Sequence, residues 1–180
     1  LGHTPKEYTE TLIRNNITQT VTCLAKALEY SAEAERIGKS LRIHIKVDTG
    51  MSRLGFLCAG EHFEPGVENI AAACQCAGLE PEGIYTHFAV SDEEGEENRD
   101  FTLKQFQLFM KVIEGVKEQG IVFPIRHCAN TGAVVNYPEM CLDMVRPGLL
   151  LYGYGDQGKI GLKPCMSLYT TIGTIKTYKP

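Results

Sequence analysis

Residues 42–56, RIHIKVDTGMSRLGF, constrain the fold of this chain more than any other stretch. Ile43, Ile45 and Val47 alternate with His44, Lys46 and Asp48. That period of two sends apolar side chains to one face of a strand and ionisable ones to the other. Asp48-Thr49-Gly50 then closes the strand, and Met51 to Gly55 follows. An ending of this kind presents catalytic side chains at the C-terminal rim of a parallel barrel.

The flanking segments repeat the theme. A helix over KEYTETLIRN starts at Thr4 as N-cap with Pro5 in its first position. A β-branched strand at 17–21 leads into a helix over 23–37 that Gly38 ends. Beyond the central strand come a helix over 65–78, a strand over 83–90, an acidic loop over 91–100 and a strongly amphipathic helix over 101–120. A strand at 125–130, a short helix at 131–137 stopped by Pro138 and a strand at 144–153 complete the series. Strands alternating with helices imply βα units and a parallel sheet. A doubly wound sheet is the competing architecture, but it calls for a Gly-rich phosphate fingerprint, and neither GxGxxG nor GxxxxGK[ST] occurs. The fold expected is therefore α/β, a partial TIM (β/α)8-type barrel. A complete barrel takes eight strands and about 250 residues, so these 180 residues correspond to about strands 3–8. Leu1-Gly2 reads as the tail of a strand, and 167–178 as a Thr/Ile-rich strand without a partner. The expected organisation is a barrel domain over 1–160 and a linker with the first strand of a β-domain over 161–180, in a chain that is a fragment of something longer.

Composition narrows the class of function. With 43% hydrophobic and 22% charged residues the chain can bury a core, and a net charge of −4 without basic runs argues against nucleic acid. No apolar run is long enough to cross a membrane, and residues 1–10 lack signal-peptide features. Seven cysteines without a CxxC pair fit a reducing compartment, so the expected location is cytoplasmic. The six carboxylates of the acidic loop match no EF-hand spacing and read as a solvated connection.

Arg53, His87, His127, Asn130, Thr131 and Arg146 each fall on or just after an expected strand, where barrel enzymes build their sites. Singly, each has a plain structural reading: a hydrogen-bonded core histidine, or an arginine in an ion pair. Together they describe a cationic rim. Asn130-Thr131 at a helix start and Gly148-Leu149 in a turn offer backbone and hydroxyl donors for a phosphorylated, anionic cofactor or substrate.

KVDTGMSRLGF, GIYTHFAVSDE, RHCANTGAVVNYPE and DMVRPGLLLYG, in this order and spacing, resemble the barrel domain of alanine racemases, fold-type III enzymes that use pyridoxal 5′-phosphate. The resemblance implies a role for each matching position. Lys46 matches a lysine that is carbamylated in many members, its added carboxylate orienting the arginine that matches Arg53. Arg53 resembles the residue that bonds the cofactor's phenolic oxygen and lies near the substrate carboxylate. Arg146 matches the arginine facing the pyridine nitrogen, His127 the histidine that buttresses it, and His87 the histidine that bonds a tyrosine base. Thr131, Gly148 and Leu149 match the phosphate cradle, where the family more often has Ser in place of Thr131. Racemisation of alanine by two bases on opposite faces, in a homodimer that supplies D-alanine for peptidoglycan, is the implied activity.

One departure from the family is large. The lysine that binds the cofactor covalently belongs to a motif like VVKANAYGHG, which does not occur between residues 1 and 180, nor does the C-terminal segment carrying the tyrosine base. The chain alone is expected to be inactive, because one face then has no base. A serine racemase, a basic-amino-acid decarboxylase of the same fold, and a non-catalytic module that binds the cofactor remain as alternatives.

Overall fold

Alternation at 42–48 becomes the centre of a parallel sheet. A computed structural model describes residues 2–155 and 158–179, so Leu1 lies outside the described residues. The strands are β1 (Gln19–Val21), β2 (Leu41–Asp48), β3 (Phe56–Leu57), β4 (Leu79–Tyr85) and β5 (Ile125–His127). They pair in the order β1-β2-β4-β5, all parallel, with the short β3 attached to the C-terminal end of β2. Helices α1 (Thr9–Arg14), α2 (Leu24–Ile37), α3 (Phe63–Cys74) and α4 (Glu96–Glu118) connect the strands, and α5 (Thr131–Asn136) follows β5. Parallel neighbours need such crossovers, because a tight turn cannot return the chain to the same end of the sheet.

Ile43, Ile45 and Val47 are fully buried with Val21 and Ile84 against Tyr30 of α2, Ile70 of α3 and Phe109 of α4. Gly66 lets α3 close onto β3: a Cβ there would stand 2.5 Å from Leu57 O and 2.6 Å from Cys58 Sγ. With the apolar face covered by helices, the other face of β2 and β4 carries His44, Lys46, Gly83 and Tyr85.

Several expected boundaries move for identifiable reasons. The first helix lacks a Thr4 cap; a 3-10 turn, Lys6–Tyr8, precedes α1, and Pro5 occupies the cap position without a side-chain bond. Helix α4 begins at Glu96, inside the expected acidic loop, since Glu96 and Glu97 in its first turn favour the positive end of the helix dipole. Strand β4 stops at Tyr85 instead of 90, because its partner β5 ends at His127; Thr86 N–H makes the last bond, to His127 O, and its hydroxyl donates to Val47 O. The stretch 144–153 is not a strand. Pro147 has no N–H, Gly148 has φ +39° and Gly153 φ +82°, and Gly148–Tyr152 forms a 3-10 helix. Backbone bonds from Asp143 N to Arg126 O and from Arg146 N to Ala129 O tie 143–146 alongside β5 and the residues after it. Residues 167–178 form no strand either; their Thr/Ile alternation meets no neighbouring strand among the described residues and leaves Leu168 and Ile172 exposed.

The cysteines report this packing. Burial pushes the Cys58, Cys74 and Cys128 thiols up to about 12, whereas Cys23 and Cys165 are exposed. Treating the native protein with a maleimide should modify Cys23 and Cys165 quickly and the three buried thiols only after denaturation. Mass mapping showing native labelling of Cys58, Cys74 or Cys128 would contradict the packing of α3 and β5.

Candidate active site

The exit of β2 is a turn held by its own side chain. Asp48 Oδ1 accepts the Gly50 and Ser52 N–H groups at 2.9 and 3.0 Å. Gly55, at φ +132°, returns so closely that a Cβ would lie 2.7 Å from Asp48 N. The turn lifts Arg53 into the open, where it makes no hydrogen bond or ion pair among the described residues.

Beneath it, β2 and β4 are in register with Lys46 beside Tyr85. Lys46 is buried with no carboxylate partner among the described residues, its Nζ 5.9 Å from the Tyr85 ring. Desolvation, and then the Arg53 charge, lower its pKa from the usual lysine value. Tyr85 is the plate on which the site is assembled. His127 stacks on it with ring centres 4.6 Å apart, the Arg146 guanidinium carbon lies 5.1 Å over the ring, and Thr20 Oγ1 is 3.1 Å from the phenol oxygen.

Arg146 is the most engaged of the rim residues. One Nη contacts His127 Nδ1 at 2.5 Å; the other donates to Thr86 O at 2.8 Å and Cys128 O at 3.3 Å, and approaches His87 Nδ1 at 3.4 Å. No carboxylate joins it among the described residues. Burial, followed by the Arg146 charge, pushes His127 down to about 3. His87 falls to about 4, through burial and then the charges of Arg146, Arg53 and Lys46. Both rings are therefore neutral, His127 beside Arg146 and His87 among Arg146, Arg53 and Lys46.

Directly after Arg146, the turn Pro147-Gly148-Leu149 packs on Thr131. The Thr131 hydroxyl donates to Pro147 O and accepts the Leu149 N–H at 3.1 Å. Gly148 is left-handed, and a Cβ on it would come within 3.4 Å of Thr131 Oγ1. Such a cradle of a hydroxyl and glycine-opened backbone, next to a guanidinium that has no acid, suits a phosphorylated aromatic ring with an acceptor nitrogen. Asn130 does different work: its Oδ1 caps α5 by accepting Ala133 N–H and also receives the Ser91 hydroxyl at 2.6 Å.

All the rim residues expected from the sequence thus lie at one end of the sheet, with Asn130 turned to structure. Three residues of the site carried no expectation. Tyr85 shares the parity of His87 in GIYTHFA, and His44 that of Lys46, so alternation held the signal for both. Glu82 gave none, because a register shift places it. Ile43 faces Pro81 while His44 faces Gly83, which makes Glu82 the extra residue of a bulge. Elsewhere, a cleft of about 700 Å³ is lined by Glu93, Glu94, Asp100 and Lys159 among others, far in chemistry from this site. Among the described residues no group of three or more His, Cys, Asp or Glu is placed to hold a metal ion, and no helix is long and apolar enough to cross a membrane.

Comparison with known proteins agrees with this geometry. Residues 1–156 match the family described as alanine racemase, N-terminal domain. An alanine racemase of Desulforamulus reducens is 41% identical over 98% of this chain and 47% of its own length, and one of Clostridium tetani 40% identical over 98% and 45%. A Clostridium difficile 630 alanine racemase solved in complex with cycloserine superposes with a TM-score of 0.81 at 34% identity, covering 91% of this chain and 44% of that one. A Bacillus anthracis alanine racemase solved with bound L-Ala-P gives 0.71 at 28%, over 91% and 42%. The chain spans about half the length of the curated relatives it matches. The alignment is with the family's N-terminal domain and does not carry the numbering of these strands as three to eight. On both sequence and fold, the chain belongs to the alanine racemase family.

Proposed function

We propose that the protein carrying this chain interconverts L-alanine and D-alanine with pyridoxal 5′-phosphate as cofactor, acting as a homodimer in the cytoplasm and supplying D-alanine for peptidoglycan. The observation that carries this reading is Arg146: a half-buried guanidinium bonded to a neutral histidine, with no acid beside it among the described residues, next to the Thr131 cradle. When bound, the cofactor supplies an electron sink that acidifies the Cα–H of an attached amino acid.

The chain's own residues do the rest. Thr131 Oγ1 and the backbone N–H groups of Gly148 and Leu149 would hold the phosphate, the Leu149 N–H giving up its present bond to Thr131 Oγ1. Arg146 donates to the ring nitrogen and keeps its proton, since a guanidinium does not release one near neutral pH. Arg146, having no proton to give, would leave such a nitrogen unprotonated, limiting charge spreading and favouring return of the α-proton. Arg53 binds the substrate carboxylate and the phenolic oxygen, and His87, held neutral with its Nδ1 turned to Arg146, donates its Nε2–H to the base on one face. Residues 161–180 lead into a second domain that contributes to the site.

Lys46 completes the arrangement as a carbamate. A desolvated ammonium near Arg53 is repelled, whereas a carbamate is an anion that pins the guanidinium. Growth of the protein with ¹³C-bicarbonate should give a carbamate carbon signal that is lost in Lys46→Ala, and a spectrum without it would leave Lys46 a plain cation.

The activity test is formation of D-alanine from L-alanine by the purified protein saturated with cofactor, read by chiral chromatography. Serine, lysine and ornithine run in parallel decide between alanine racemisation and the related activities. Saturable cofactor binding without any D-amino acid or decarboxylation would overturn the enzymatic reading.

A further inference from the structure

The His127 ring has a second partner, which the proposed function does not use. Its Nε2 lies 2.9 Å from His44 Nδ1. His44 Nε2 in turn is buried with no hydrogen-bond partner, and its nearest anion is Glu82 Oε2 at 3.5 Å. Glu82 is anchored in place: Oε2 accepts the Thr18 hydroxyl and Oε1 an Arg42 Nη, both at 2.8 Å.

The direction of this row is fixed by chemistry. A guanidinium has only donors, so His127 must present the lone pair of Nδ1 to Arg146 and carry its proton on Nε2. That proton goes to His44 Nδ1, which must then be an acceptor, and the His44 proton is left on Nε2, 3.5 Å from Glu82 Oε2. A cation and two neutral rings are thus joined by two hydrogen bonds that strengthen each other, with the Glu82 anion 3.5 Å from the far end of the row.

The backbone is shaped to permit it. The bulge between β2 and β4 makes Glu82 the unpaired residue opposite the Ile43–His44 step, in reach of His44. Gly83 supplies the space for the ring: a Cβ there would stand 2.7 Å from His44 Nε2 and 2.8 Å from Ile125 O.

We propose that His44 and Glu82 are positioning residues that hold His127 in one orientation and tautomer, and through it fix the guanidinium of Arg146. The groups facing His44 are Glu82 on β4, Arg42 on β2, His127 on β5 and Arg146 from the following loop. Glu82 is held below the usual carboxylate range, first by the Thr18 hydroxyl and then by Arg42, so the chain ends on a charge at neutral pH. The chain stands on geometry alone; only its consequence for the cofactor rests on the proposed function.

The test uses the protein labelled with ¹⁵N-histidine and long-range proton–nitrogen correlation. In the native protein His127 and His44 should both be Nε2–H tautomers, with His127 uncharged throughout the range in which an ordinary histidine titrates. His44→Phe keeps a ring but removes the acceptor, and should give His127 a mixture of tautomers and weaken pyridoxal 5′-phosphate binding about tenfold, the size of one hydrogen bond at a charged group. His44→Gln restores an acceptor and should recover part of both. If His44→Phe fails to fold, Glu82→Gln decides: loss of the charge should lower the proton affinity of His44 and weaken cofactor binding. A native His127 protonated on Nδ1, a His127 signal unmoved in folded His44→Phe, or a His44 titration unmoved in Glu82→Gln overturns the proposal. Fixed tautomers in a protein that binds no cofactor would overturn the proposed function and leave the chain standing.

Discussion

Replacing Arg146 by leucine is expected to lower the melting temperature by about 10 °C and to abolish measurable cofactor binding. Arg146 fastens 144–147 to the ends of β4 and β5, through Thr86 O, Cys128 O and the two histidines. Leucine fills part of the volume but leaves two carbonyls and the His127 acceptor without donors in a half-buried place. Orphaned acceptors of this kind together cost about 3–4 kcal/mol, and a domain of this size loses 2–4 °C per kcal/mol. Arg146→Lys keeps the charge and reaches at most one of these partners, so it should fall between the two. Calorimetry and a fluorescence titration with pyridoxal 5′-phosphate measure both effects. A leucine variant that melts within about 2 °C of the native protein would mean that the arginine does not tie the rim together.

The second large effect is acid sensitivity. Folding holds His127 at about 3 and His87 at about 4, against about 6.5 in an unfolded chain. Below about pH 6.5 the unfolded state therefore binds protons that the folded state refuses, so stability is complete above that pH and drains as pH falls. Between about pH 6.5 and 4.5 the nearly inaccessible His127 accounts for about 2 kcal/mol, and the partly exposed His87, screened by solvent, for about 1 kcal/mol. His44, also lowered by burial, acts with the same sign. Urea titrations at the two pH values should show the unfolding free energy falling by this amount, and equal values would show that the rings are not held neutral. In Arg146→Leu the loss should be smaller, because the charge that opposes protonation of both histidines is gone.

Much of this site is legible in the sequence because it rests on local periodicity. The alternation of 42–48 is set by the pleat, and the helix over 24–37 by an apolar stripe and a left-handed glycine at its end. The polar rim followed from strands ending in ionisable residues. What could not be read depends on neighbours distant in the chain. Residues 144–153 have the composition of a strand, yet Pro147 and two left-handed glycines turn them into a strap over Thr131. Glu82 is placed by a one-residue register shift between two strands, and no pattern within either strand announces it. The resemblance implies roles for Arg146 and His127, while the second histidine behind them is brought there only by the pairing of β2 with β4 and of β4 with β5.

Gly83 has a further consequence, for how sequences of this type are free to change. The room a side chain would take there is already filled by the His44 ring, and Ile125 O closes the other side. The two positions therefore share one volume. Any enlargement on β4 has to be matched by a contraction on β2, and neither strand can drift independently without unmaking the contact between His44 and His127.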